Sequence, residues 1–132
     1  MRGADTNVLL RLVLLDDEDQ SKAVGRLIKR LSQRGESLHV TSIVLCEFCW
    51  VLHRSYRRSR AEIADAVGQL LLSDLIIAEH PDESHRAVSL YRQGPGGFAD
   101  YLIGLIHQSA GCRDTVTFDR SLRSTPGFTM LS

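Results

Sequence analysis

Apolar positions along this chain recur at helical spacing in several stretches, separated by short strand-like segments, and this alternation is its first structural signal. Between Ser21 and Arg34, residues Ala23, Val24, Leu27, Ile28 and Leu31 fall at helical spacing with Lys and Arg between them, and Gly35 follows as a stop. Ser42 is placed to cap a helix from Ile43 to about Ser55. Ser59 and Glu62 form a capping-box pattern ahead of Ile63, Val67, Leu70 and Leu71. Asp82 to Tyr91 repeats the helical spacing more weakly through Ala87, Val88 and Leu90, and Phe98 to Ala110 repeats it strongly up to Gly111. Short segments between these stretches predict strands: Met1 to Ala4, Leu38 to Thr41, Leu75 to Ala78, Asp114 to Phe118 and Phe128 to Leu131. Val8 to Leu15 reads as a helical turn or two, and Gly94-Pro95-Gly96-Gly97 is a clear break. Strands separated by helices predict an α/β fold with a mainly parallel central sheet covered on both faces. In such sheets, sites open at the carboxyl ends of the strands.

Composition narrows this picture. The 132 residues suit one domain spanning 1–132, and a 43% hydrophobic content supplies a core without disulfides or structural metals. Sixteen Lys and Arg balance sixteen Asp and Glu, so any nucleic-acid contact must use a local patch rather than a global field. Three cysteines, an odd number, fit a reducing cytoplasm better than a secreted scaffold. The Val8 to Leu15 run is interrupted by Arg11 and followed by Asp16, Asp17, Glu18 and Asp19; it is too short for a membrane span and lacks a signal-peptide cleavage pattern.

The carboxylates carry the candidate chemistry. Asp5 and Asp119 each follow a predicted strand, and Asp100 lies in the first turn of a predicted helix. Glu47 has Ile43, Val44, Trp50 and Val51 as its helical neighbours, an apolar face on which a buried acid must be paired, protonated or metal-bound. An arginine partner for Glu47 and a dipole role for Asp100 are the structural alternatives. Taken together, the acids are hard oxygen ligands suited to Mg²⁺, with Mn²⁺ as a substitute. One such ion, or two roughly 4 Å apart, would serve phosphodiester hydrolysis.

Four short motifs now come into view: Asp5-Thr6-Asn7, Glu47 within Leu45-Cys46-Glu47-Phe48-Cys49-Trp50-Val51-Leu52, Phe98-Ala99-Asp100-Tyr101-Leu102-Ile103, and Thr117-Phe118-Asp119. In this order and at these separations they resemble the motifs of the PIN-domain nucleases, most nearly the VapC toxins of prokaryotic toxin–antitoxin pairs. The resemblance spans Asp5 to Asp119. It implies a PIN-like three-layer α/β/α sandwich, Mg²⁺-dependent endoribonuclease activity, a VapB-type antitoxin as partner, and a homodimer. It also implies Asp5 and Asp100 as metal ligands, Glu47 and Asp119 as completing the acidic pocket, and Thr6, Asn7 and Thr117 as supporting hydrogen-bonding positions. Where many relatives carry another acid three residues before the third motif's Asp, this chain has Gly97, which removes one charge from the pocket. Gly3-Ala4 stands where relatives usually have bulkier strand residues.

Other features have weaker claims. His53 to Arg60 holds four arginines and Tyr56, and Arg54, Arg57 and Arg58 are candidates for RNA phosphate contact, with a solvated helix end as the alternative. Cys46 and Cys49 sit in an apolar helical run with only Cys112 left as a further cysteine, which favours packing over zinc or redox chemistry. The acidic run Asp16 to Asp19 matches no calcium loop. A nuclease in RNA maturation and a PIN-like interaction module without catalysis are the competing functions. A receiver-type domain would need a late active-site lysine, and the chain has only Lys22 and Lys29.

Overall fold

A computed structural model describes residues 1–14 and 16–132. The elements run β1 (Arg2–Gly3), α1 (Thr6–Val13), α2 (Glu18–Arg34), β2 (Leu38–Val40), α3 (Ser42–Arg54), α4 (Arg60–Leu72), β3 (Ile76–Ala78), α5 (Pro81–Gln93), α6 (Phe98–Ser109), β4 (Thr115–Thr117), a 3₁₀ helix (Arg120–Leu122) and β5 (Phe128–Met130). All strand pairs are parallel. β1, β2 and β3 form one sheet in that order, with Arg2 opposite Leu38 and Leu38 opposite Ile76. β4 and β5 form a second ladder, with Thr115 opposite Phe128. The parallel α/β arrangement expected from the alternation of elements is present, although the hydrogen-bond ladder is split in two. No described helix is long and apolar enough to cross a membrane.

Local rules explain most boundaries. Gly35 ends α2 in the left-handed conformation, at φ 63°. Ser59 and Glu62 form a reciprocal capping box at the start of α4. The cap of α3 is Thr41, whose side chain accepts from the Val44 N–H, so Ser42 is the first helical residue rather than the cap. The first helix begins at Thr6, two residues earlier than its apolar run, because Asp5 caps it. Leu15, the end of that run, lies outside the described residues.

The core gathers one stripe from each helix around β2. α3 contributes Leu45, Phe48, Cys49 and Leu52, α4 contributes Ile63, Ala64, Val67 and Leu70, and α6 contributes Phe98, Tyr101, Leu102 and Leu105. Phe48 is fully buried, and such burial stabilises by about 1.5–3 kcal/mol. Burial pushes the Cys49 thiol far up, which leaves it an inert packing group.

A polar knot closes the far side of α1. The buried Arg11 guanidinium pairs with Asp16 and donates to the Tyr56 hydroxyl at 3.2 Å, while that hydroxyl donates to Asp16 at 2.7 Å. Tyr56 is therefore engaged here, although it lies within the basic run of the sequence. The Tyr56 hydrogen bond, and then Arg11, hold the Asp16 carboxyl below the usual carboxylate range. A depressed folded-state pKa contributes stability above the unfolded pKa and loses it as pH falls through the lowered value. Tyr56→Phe is accordingly expected to cost more stability at pH 7 than at pH 3 in urea melts. An equal loss at both pH values would contradict this role.

Candidate active site

Two of the acids sit in the same local device. β1 ends at Gly3 and Asp5 caps α1, its Oδ1 accepting from the Val8 N–H at 3.2 Å. β4 ends at Thr117 and Asp119 caps the 3₁₀ helix, its Oδ1 accepting from the Ser121 hydroxyl at 2.7 Å and the Ser121 N–H at 2.9 Å. Both therefore lie at strand carboxyl ends, as their sequence positions predicted. The Ser121 contacts hold the Asp119 carboxyl below the usual range. Thr117 supports this turn, its hydroxyl accepting from the Asp119 N–H at 3.0 Å.

Glu47 is exposed, not buried among apolar neighbours. Ile43 and Trp50 on its face are 80% and 56% exposed. α3 is apolar nearly all round, and the stripe that packs is the one through Leu45, Phe48, Cys49 and Leu52. The desolvation argument that singled out Glu47 therefore fails. What ties it to the site is the buried Thr6 hydroxyl, which donates to Glu47 Oε1 at 2.5 Å. Thr6 immediately follows Asp5, so one hydrogen bond links α3 to the β1 carboxyl end. Asn7 is exposed beside them.

Asp100 is the third residue of α6 and reaches back to the start of its own helix, Oδ2 accepting from the Gly97 N–H at 2.8 Å. Gly97 is thus the N-cap position of α6, where a side chain would stand 3.4 Å from Asp100 Oδ2. Across the α3–α6 contact, Asp100 faces Cys46, whose thiol is pushed up by burial and then by the Asp100 charge. No hydrogen bond among the described residues joins one of the four carboxylates to another.

The basic run separates by role. Arg54 lies over the Trp50 ring at 5.2 Å, Arg58 approaches Glu62 at 3.9 Å, and Arg57 is exposed in the turn between α3 and α4. Arg60, read from sequence as one more arginine of this run, instead binds backbone carbonyls beside the Asp100 helix. Its role depends on tertiary contacts that the sequence pattern does not carry. Ser121 was also missed, although its place two residues after Asp119 is the spacing of an Asx turn.

The donor chemistry fits a hydrated divalent ion. Each of the four carboxylates has one oxygen in a hydrogen bond and its second oxygen without a partner among the described residues. None of the four forms an ion pair among those residues. No three of the described His, Cys, Asp and Glu side chains form a closed metal cage. Mg²⁺ does not require one, because it keeps several waters and takes one or two carboxylates.

The fold is α/β with parallel strands, two of which lead into carboxylates that form no ion pair among the described residues. The sequence pattern of the PIN domain family matches residues 4–127, and the chain belongs to that family, with its PIN-like α/β/α fold. It is also similar to a VapC ribonuclease of Aquifex aeolicus (strain VF5), 29% identical over 123 residues that cover 93% of this chain and 90% of that protein.

The Thr6–Glu47 link generates a direct expectation. Thr6→Val removes the donor, and Mn²⁺ affinity measured by calorimetry should weaken by about tenfold. Thr6→Ser should stay close to wild type. Unchanged affinity in the valine variant would remove Thr6 from the site.

Proposed function

We propose that this chain is a divalent-metal-dependent endoribonuclease, the toxin of a type II toxin–antitoxin pair. The carrying observation is membership of the PIN domain family over residues 4–127, together with likeness to a VapC ribonuclease along nearly the whole chain. Mg²⁺ is the proposed ion, with Mn²⁺ as its substitute, because the available donors are all carboxylate oxygens. Asp5 and Asp100 are the proposed ligands, with Glu47 and Asp119 completing the pocket directly or through water. A bound ion supplies charge stabilisation at the phosphate and lowers the pKa of a water.

The chain's own residues do the rest. The Asp5 cap and the Thr6 hydroxyl hold the first pair of acids in fixed rotamers, leaving Asp5 Oδ2 and Glu47 Oε2 open. The Gly97 N–H does the same for Asp100, leaving Oδ1 open. Asp119, oriented by Ser121 with Oδ2 open, is suited to accept a hydrogen bond from a water or an RNA hydroxyl. Exposed Arg54, Arg57 and Arg58 offer the local positive patch that a chain of zero net charge needs for a phosphate backbone.

Partners follow from the same reading. A VapB-type antitoxin would find an open apolar groove between α1, α2 and α4, lined by Leu12, Val13, Ile28, Ala66, Leu70 and Leu75. Exposed Ile43 and Trp50 supply apolar surface for a homodimer. Three free thiols suit the cytoplasm. A PIN-like module without catalysis is the second reading, favoured by the lack of a closed metal cage among the described residues.

The test is incubation of purified protein with cellular RNA and Mg²⁺. Wild type should cleave it, EDTA should stop cleavage, and Asp5→Ala or Asp100→Ala should lose it by at least about a hundredfold. Equal cleavage by wild type and variants, or none by either, would overturn the nuclease reading.

A further inference from the structure

We infer that Arg60 is a positioning residue of the acidic site, acting on Asp100 through the Gly94–Gly97 segment. The inference rests on the function proposed above and adds a residue that lies outside the four motifs.

Arg60 is the first residue of α4, in sequence far from α6. Its Nη1 donates to the Tyr91 carbonyl at 3.0 Å and to the Gly96 carbonyl at 2.6 Å, and its Nη2 donates to the Pro95 carbonyl at 3.2 Å. The same guanidinium lies over the Tyr91 ring, 4.6 Å from its centroid. Tyr91 in turn meets Phe98, the first residue of α6, edge to face at 6.3 Å. One side chain thus spans the end of α5, the break, and the start of α6.

The other side of the segment is fixed as well. The Gly96 N–H donates to the buried Tyr101 hydroxyl at 3.0 Å. Gly96 is packed so closely that a Cβ there would stand 2.9 Å from Leu122 Cδ2 and 3.2 Å from Tyr101 Cζ. Leu122 belongs to the 3₁₀ helix that Asp119 caps. The next residue, Gly97, donates its N–H to Asp100 Oδ2. The segment is therefore held between Arg60 and the Asp119 helix, and it delivers the hydrogen bond that orients Asp100.

The chemistry explains why an arginine stands there. Tyr91 lies in the last turn of α5, where the helix dipole is negative and its carbonyl has the Gly94 N–H, at 3.2 Å, as backbone donor, leaving room for a second. A planar guanidinium can bind several carbonyls and stack on a ring at once, whereas a lysine ammonium is a single point charge. A purely stabilising role can be separated from this one by comparison with Arg92. Arg92 of α5 pairs with Asp65 of α4 at 2.7 Å, across the same helix pair, but has no hydrogen bond to the segment.

The experiment compares the full chain with Arg60→Ala, Arg60→Lys and Arg92→Ala. Hydrogen exchange of the Gly97 amide in metal-free protein should speed up by about tenfold or more in Arg60→Ala. Its Mn²⁺ affinity should weaken by about 10–100-fold, and RNA cleavage should lose kcat with KM nearly unchanged. Arg60→Lys, which keeps the charge and the fold, should show the same changes in reduced size. Arg92→Ala should lower Tm without affecting Gly97 exchange or Mn²⁺ affinity. Wild-type Gly97 exchange in both Arg60 variants would overturn the inference, as would changes in Arg92→Ala that match them. If wild type neither binds Mn²⁺ nor cleaves RNA, the proposed function fails, while Gly97 exchange still decides the positioning role.

Discussion

The chain's unneutralised carboxylates are the constraint on which the rest of this site depends. None of the four acids forms an ion pair among the described residues. Three of them are held instead at helix N-termini. Asp5 and Asp119 are caps, and Asp100 sits at the third position of α6, each accepting from backbone N–H groups at the positive end of a helix. Glu47 has no such helix end and relies on the Thr6 hydroxyl. Neutral donors of this kind fix each carboxylate while leaving its charge and one oxygen available. A side-chain cation would have consumed both.

The same economy explains how short strands suffice. Each strand of the two sheets is two or three residues long, and β1 and β4 serve chiefly to deliver Asp5 and Asp119 to helix starts. The positions of these acids then depend on contacts between elements: Thr6 to Glu47, and the Gly94–Gly97 segment between Arg60 and Leu122. The glycine at 97 fits this arrangement. It gives up a possible fifth acid, and its N–H holds Asp100, which a Cβ at 97 would meet only at ordinary contact distance.

What was legible in the sequence follows the reach of each rule. Capping, stop and strand-end patterns are local, and they located the Ser59–Glu62 box, the Gly35 stop, and the settings of Asp5 and Asp119. The burial argument for Glu47 does not hold in the structure. α3 carries two apolar stripes, and periodicity alone cannot say which one packs when Ile43 and Trp50 are left in solvent. Arg60 and Tyr56 share a basic run with Arg54, Arg57 and Arg58, yet their partners lie 31 or more residues away in the chain, beyond any local pattern. The split between the β1-β2-β3 sheet and the β4-β5 ladder is likewise a property of strand pairing, which spacing does not specify.

The most direct measurement is thermal unfolding of the RNA-free chain in MgCl₂ against NaCl of equal ionic strength. A ligand that binds only the folded state raises Tm by mass action, whereas simple screening is the same in both salts. Helix ends that hold open carboxylates for a divalent ion predict a higher Tm in MgCl₂ for wild type, and no difference between the salts for Asp5→Asn combined with Asp100→Asn. The same Tm for wild type in both salts would contradict a divalent-ion site at these acids.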